Sequence, residues 1–109
     1  MNKRDSILLK KILAEAHIIA DLIQDYSCES FVTDERTKRA VCMTLINIGE
    51  LVKLLSNEFK HDNPHIPWRS IAGLRDVTAH GYMTLRMEDI WETVSVDLVK
   101  LYEQINEYL

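Results

Sequence analysis

Arg75, Asp76, His80 and Tyr82 fall within eight residues of one another, in the segment GLRDVTAHGY at positions 73–82. Asp76 and His80 are four residues apart, so on a helix they share a face and the carboxylate can hydrogen-bond the imidazole and favour its protonated form. Arg75 precedes His80 by five residues. On a regular helix that separation is about 140°, so a long side chain, a frayed last turn or a second subunit has to bring the two groups together. Such a set could cleave RNA without a metal. The histidine would take a proton from a ribose 2′-hydroxyl or return one to the leaving oxygen, and the permanently charged arginine would stabilise the crowded phosphorane. One chain supplies one imidazole from this segment. If cleavage needs both an acid and a base, a two-fold dimer that juxtaposes two of these helix ends supplies the second.

A plainer reading stands beside this one. A histidine near a helix C-terminus, with an aspartate one turn before it and a glycine after it, is an ordinary capping arrangement worth about 0.3–1 kcal/mol. The remaining histidines carry less. His17 reads as a boundary residue of the first helix, and His61 and His65 bracket a loop without the cysteine or acidic pair that a zinc site needs. No metal or other cofactor is expected.

The elements that must position this segment are legible as helical stripes. Leu8, Ile12, Ala16, Ile19 and Ile23 step by three or four and predict a helix from Arg4 to Tyr26, with a break at SCESF. Thr33 is the expected N-cap of the next helix, with Asp34 and Glu35 in its first turn, where the helix dipole favours carboxylates. Val41, Leu45, Ile48, Val52, Leu55 and Phe59 extend that helix to about Lys60. Both prolines lie in KHDNPHIPWRS. They interrupt the pattern, and Pro67 fits as the first residue of a short third helix running to about His80, with Gly81 as a left-handed stop. Trp91, Val94, Leu98, Leu101, Ile105 and Leu109 form the last stripe. Gly49 and Gly73 fall inside predicted helices at a cost of up to about 1 kcal/mol each, which predicts close approach of a neighbouring helix at both.

No segment alternates with period two, so the fold expected is an all-α bundle of four main helices, three long and one short, in one domain spanning residues 1–109. A chain of 109 residues can bury roughly 65% of its unfolded surface, enough for a core without staples. Cys28 and Cys42 have no metal-ligand spacing and read as free thiols. No apolar run approaches about 18 residues, so neither a membrane span nor a signal peptide is expected, and the expected location is cytoplasmic. The formal charge of −4 argues against a general nucleic-acid coat, so any RNA contact has to be local. From Glu88 onward, six acids stand against the single base Lys100.

The pattern R-x-x-x-x-H-x-Y, with Asp76 directly after the arginine, resembles the HEPN superfamily and specifically its HepT toxin branch. INIGELVKLL on the second long helix, IPWRSIAGLRD leading into the motif, and DIWETV on the last helix look like segments of the same family, so the resemblance covers nearly the whole chain. It implies an up-and-down helical bundle that dimerises at its motif helix, and a toxin encoded beside a minimal nucleotidyltransferase antitoxin. By matching positions, it implies Arg75 and His80 as ribonuclease residues acting on RNA, Asp76 assisting them, and Tyr82 as the phenol that the antitoxin modifies with AMP. AMP there would add bulk and negative charge at a site meant for RNA phosphate, and so would inactivate it. One departure is that TLRMEDIW puts Arg86 where the family often has an acid, leaving Thr84 as the expected cap of the last helix. Arg69 and Arg86 could join Arg75 in a local basic rim that contacts RNA, unless Arg69 pairs with Asp62 or Glu88. A second class of function is a non-catalytic dimeric module that binds the nucleotidyltransferase and is modified by it, a reading the acidic C-terminal stretch favours.

Overall fold

The computed structural model describes the backbone of all 109 residues and the side chains of all but residues 76–80. Helix α1 spans Lys3–Leu22, α2 Cys28–Val32, α3 Glu35–Leu54, α4 Asn57–Asp62, α5 Trp68–Gly81, α6 Met87–Glu92 and α7 Leu98–Asn106. A single 3-10 turn, Tyr82–Thr84, follows α5, and a π-helical stretch, Thr93–Asp97, joins α6 to α7 in one continuous helical run. With no strand among these elements, the fold is the expected all-α bundle: α1, α3 and the α6–α7 run are long, and α5 is shorter. Helix α3 lies at the centre, packed against both α1 and α5, while α7 covers α1 and α2 packs on α6.

Each stripe read from the sequence supplies the core. Leu8, Ile12, Ala16 and Ile19 meet Val41, Leu45, Ile48 and Val52, and Val94, Leu98, Leu101 and Ile105 close the other side. Cys42 is buried in this core, and burial pushes its thiol up to about 11, so it stays protonated and inert near neutral pH. No described helix is long and apolar enough to cross a membrane.

Several boundaries differ from the sequence reading, each for a local reason. Helix α1 stops at Leu22 rather than Tyr26, because the chain turns through Asp25 with a positive φ of 67°. The SCESF break is itself a short helix. Ser27 and Ser30 form a reciprocal capping box, and Phe31 is driven fully into the core with its ring 5.4 Å from that of Trp91. Asp34, not Thr33, caps α3, its carboxylate accepting from the Thr37 N–H at 3.0 Å.

The long helix also ends at Leu54 instead of continuing to Lys60. Leu55 is extended, and Ser56 starts α4 as its N-cap. The cause lies on α1. The buried Asp5 carboxylate accepts the Ser56 N–H at 2.9 Å and the Ser56 hydroxyl at 2.6 Å, which ties down this break between the helices.

Pro67 sits one position outside α5, at its N-cap. Gly81 is not left-handed: its φ is −128°, and the chain passes directly from α5 into the 3-10 turn, where the Thr84 hydroxyl donates to the Gly81 carbonyl at 3.0 Å. Thr84 therefore does not cap the next helix. Arg86 occupies that position and makes no side-chain cap bond. Leu109, placed by the sequence at the end of the last stripe, is exposed.

Candidate active site at the end of helix α5

The motif helix rests on α3 through a glycine. A Cβ added at Gly49 would lie 2.8 Å from the Arg75 Cβ, 3.0 Å from the Arg75 N and 3.2 Å from the Ala72 carbonyl oxygen. Only a residue without a side chain lets α5 come this close, so the expectation of tight packing at Gly49 holds. At Gly73 it does not: among the described residues, nothing lies within 4 Å of the position a Cβ would take.

The residue after Gly49 completes the arrangement. Glu50 Oε1 stands 2.5 Å from Arg75 Nε, a charge-assisted contact between two half-exposed side chains. The backbone contact at Gly49 sets the height of Arg75 above α3, and Glu50 sets the direction of its guanidinium. Both constraints come from the INIGE segment of α3, so an element other than its own helix helps to position the arginine.

Asp76 and His80 belong to α5, and their side chains lie outside the described residues, as does the ion pair the sequence suggests between them. Helix α5 continues to Gly81, so its backbone does not fray before that residue. Arg69 and Arg86 are both exposed. Among the described residues, neither ion pair considered for Arg69, to Asp62 or to Glu88, is formed.

Tyr82, the first residue beyond α5, reaches the N-terminal turn of α3 instead of folding back over its own helix end. Its hydroxyl donates to Glu35 Oε2 at 2.6 Å, across 47 positions of sequence. The same carboxylate oxygen accepts from Arg39 Nε at 2.8 Å, and the Arg39 guanidinium lies over the Tyr82 ring, 5.0 Å from its centroid. Lys38 Nζ approaches the other oxygen, Glu35 Oε1, at 3.2 Å. The result is a closed set in which Tyr82, Glu35 and Arg39 each touch the other two. Sequence reasoning singled out Tyr82 and placed Glu35 in a first helical turn, but gave Arg39 no role. The i, i+4 spacing of Glu35 and Arg39 was the one available signal.

These contacts set the protonation of both acids. Burial first, and then the bond to Glu35, pushes the Tyr82 phenol up to about 12 from its ordinary 10.0. The Tyr82 bond first, and then Lys38, holds the Glu35 carboxyl below its ordinary value. The signs differ. Folded Tyr82 keeps its proton more tightly than the unfolded chain does, so its contribution to stability is complete below about pH 10 and is lost as pH rises toward 12. The Glu35 contribution is present above its ordinary pKa of 4.5 and is lost as pH falls below it. In an absorbance titration of the phenols, the component ionising near pH 12 is expected in the wild-type protein and absent from Tyr82→Phe. Persistence of that component in the variant would detach it from this contact.

A family model described as Ribonuclease HepT-like matches residues 12–108. A candidate RNase of Caldanaerobacter subterraneus subsp. tengcongensis is 37% identical over 101 residues, covering 93% of this chain and 90% of its own. A protein named "Probable ribonuclease HepT" from Thermococcus cleftensis is 33% identical over 101 residues, covering 93% and 92%. A candidate RNase of Methanocaldococcus jannaschii is 34% identical over 110 residues, covering 100% and 91%. No solved structure matches the chain.

Proposed function

Because the chain belongs to the HepT-like ribonuclease family, we propose that it is a toxin endoribonuclease that cleaves RNA through attack of the ribose 2′-hydroxyl, without a metal. In this reading a single domain spanning residues 1–109 carries the activity. Arg75 binds the scissile phosphate and stabilises the charge that builds up on it, His80 moves the proton, and Asp76 orients the imidazole from one helical turn away. Arg69, in the first turn of α5, and Arg86, beyond its last turn, add positive charge for RNA contact on either side of the motif. Two copies pair through their motif helices, which supplies a second imidazole and resolves the angular separation of Arg75 and His80 on one helix. The protein works in the cytoplasm, where its RNA substrates are.

The observation that carries this reading is the placement of Arg75. A helix–helix contact that tolerates only glycine, and a carboxylate on the facing helix, both act on the one motif residue whose charge cannot be switched off. A merely structural arginine on a half-exposed surface would need neither.

Control of this activity falls to Tyr82. A minimal nucleotidyltransferase antitoxin transfers AMP to its hydroxyl, and the added phosphate places negative charge where RNA phosphate must come, so repulsion and bulk both block the site. Intact mass of the protein co-expressed with its nucleotidyltransferase, followed by peptide mapping across residues 74–86, tests this step. One or more AMP increments on Tyr82 are the expected result. An unmodified tyrosine in a stable complex would contradict it and assign neutralisation to steric masking.

A further inference from the structure

We propose that Glu35 is the proton acceptor for nucleotide transfer to Tyr82, so that the modified protein itself supplies the base for its own modification. This inference rests on the reading that Tyr82 is the modified residue, and deepens it by naming a catalytic group in this chain.

The geometry comes first. Nucleotide transfer to a phenol requires the oxygen to attack the α-phosphorus of a nucleoside triphosphate held by the partner enzyme. The Tyr82 Oη–P bond forms, the bond from phosphorus to the pyrophosphate oxygen breaks, pyrophosphate leaves, and the phenolic proton must go elsewhere. In this protein the proton already points at an acceptor, Glu35 Oε2, 2.6 Å away. That lies within the range required of a general base before any rearrangement. The same division of labour serves protein kinases, in which a carboxylate accepts the substrate hydroxyl proton during phosphoryl transfer.

The electrostatics follow. Burial and the Glu35 contact keep the free phenol protonated near neutral pH. A base in contact is therefore needed at the moment the O–P bond forms. Tyr82, Lys38 and Arg39 keep Glu35 ionised but also lower its basicity, so it takes the proton only as bond formation to phosphorus acidifies the phenol. Arg39 holds the carboxylate from one side and the ring from the other, which fixes the angle between donor and acceptor. The Glu35 side chain is more than half exposed, so an incoming nucleotide-bearing enzyme can reach the pair.

The test measures initial rates of AMP addition, by intact mass, with purified cognate nucleotidyltransferase, ATP, and wild-type, Glu35→Gln or Glu35→Asp protein. Thermal melting verifies that each variant is folded. A general base contributes about 10²–10⁴-fold, so Glu35→Gln is expected to lower kcat at least 100-fold with little change in KM for the toxin, and Glu35→Asp to recover part of that loss. Equal rates for wild type and Glu35→Gln would overturn the inference. So would a rise in KM at unchanged kcat, which would make Glu35 a docking residue. Absence of modification on the wild-type protein is a separate result: it would remove the Tyr82 reading itself.

Discussion

His80→Ala is expected to remain folded and to lose RNA cleavage by roughly 10²–10⁴-fold, the range for removal of a general acid or base. The size of this effect separates the two readings of the motif. If His80 only caps the end of α5, its removal costs about 0.3–1 kcal/mol of stability and leaves turnover on RNA unchanged. If it moves the proton, the melting temperature shifts by a few degrees at most while cleavage collapses. Cleavage of a labelled RNA and thermal melting, measured on the same preparation, check both quantities. Retention of wild-type cleavage by the alanine variant would remove His80 from the mechanism.

The second large effect is expected at a residue with no chemistry of its own. Gly49→Ala places a methyl group 2.8 Å from the Arg75 Cβ and 3.0 Å from its backbone nitrogen. The atoms in the way belong largely to backbone or to the root of a side chain, so a rotamer change cannot relieve the overlap. Overpacking of this kind costs about 1–3 kcal/mol, more than the 0.5–1 kcal/mol that alanine gains over glycine in a helix. The melting temperature should fall by about 4–8 °C per kcal/mol for a domain near this size. Cleavage should fall further than stability, because α5 must lift from α3 and carry Arg75 with it, and a displacement near 1 Å can cost about 10²-fold. Gly73→Ala is the matched control. With nothing among the described residues within 4 Å of the new methyl, it is expected to stabilise the protein by about 0.5–1 kcal/mol. If the two variants behaved alike, the argument that Gly49 seats the motif helix would fail.

That pair of glycines also shows how far the sequence can be read. Both interrupt a helical stripe at the same intrinsic cost, and both suggested a close helix approach, but among the described residues the approach is realised only at Gly49. Helix propensity records the absence of a side chain and not what stands opposite it. The same holds for the ends of α3. Its apolar stripe through Val41, Leu45, Ile48 and Val52 was legible because a 3.6-residue period is a local property. Its termination at Leu54 was not, because the break is tied down by the bond from Ser56 to Asp5, 51 positions away on α1. Helix α2 escaped notice because its capping box uses serine at both positions and its single large apolar residue, Phe31, gives no period to detect.

The candidate site divides along the same line. Arg75, Asp76, His80 and Tyr82 are close in sequence, so their association was visible as a motif. What holds Arg75 and Tyr82 is remote: Glu50 beside Arg75, and Glu35 with Arg39 around Tyr82. Glu35 and Arg39 read as an ordinary exposed i, i+4 pair on a helix, and only the fold shows that the pair closes on a tyrosine from the far side of the motif.

The most direct measurement of the central claim is cleavage, by AMP-free protein, of an RNA that is cut at one defined position, alongside the same RNA carrying a single 2′-deoxyribose there. The all-ribose strand is expected to be cut to leave a 2′,3′-cyclic phosphate, and the deoxy position to be left intact. Failure to cut any RNA would favour a non-catalytic module that serves only as the substrate of its nucleotidyltransferase. Cutting at the deoxy position would contradict attack by the 2′-hydroxyl.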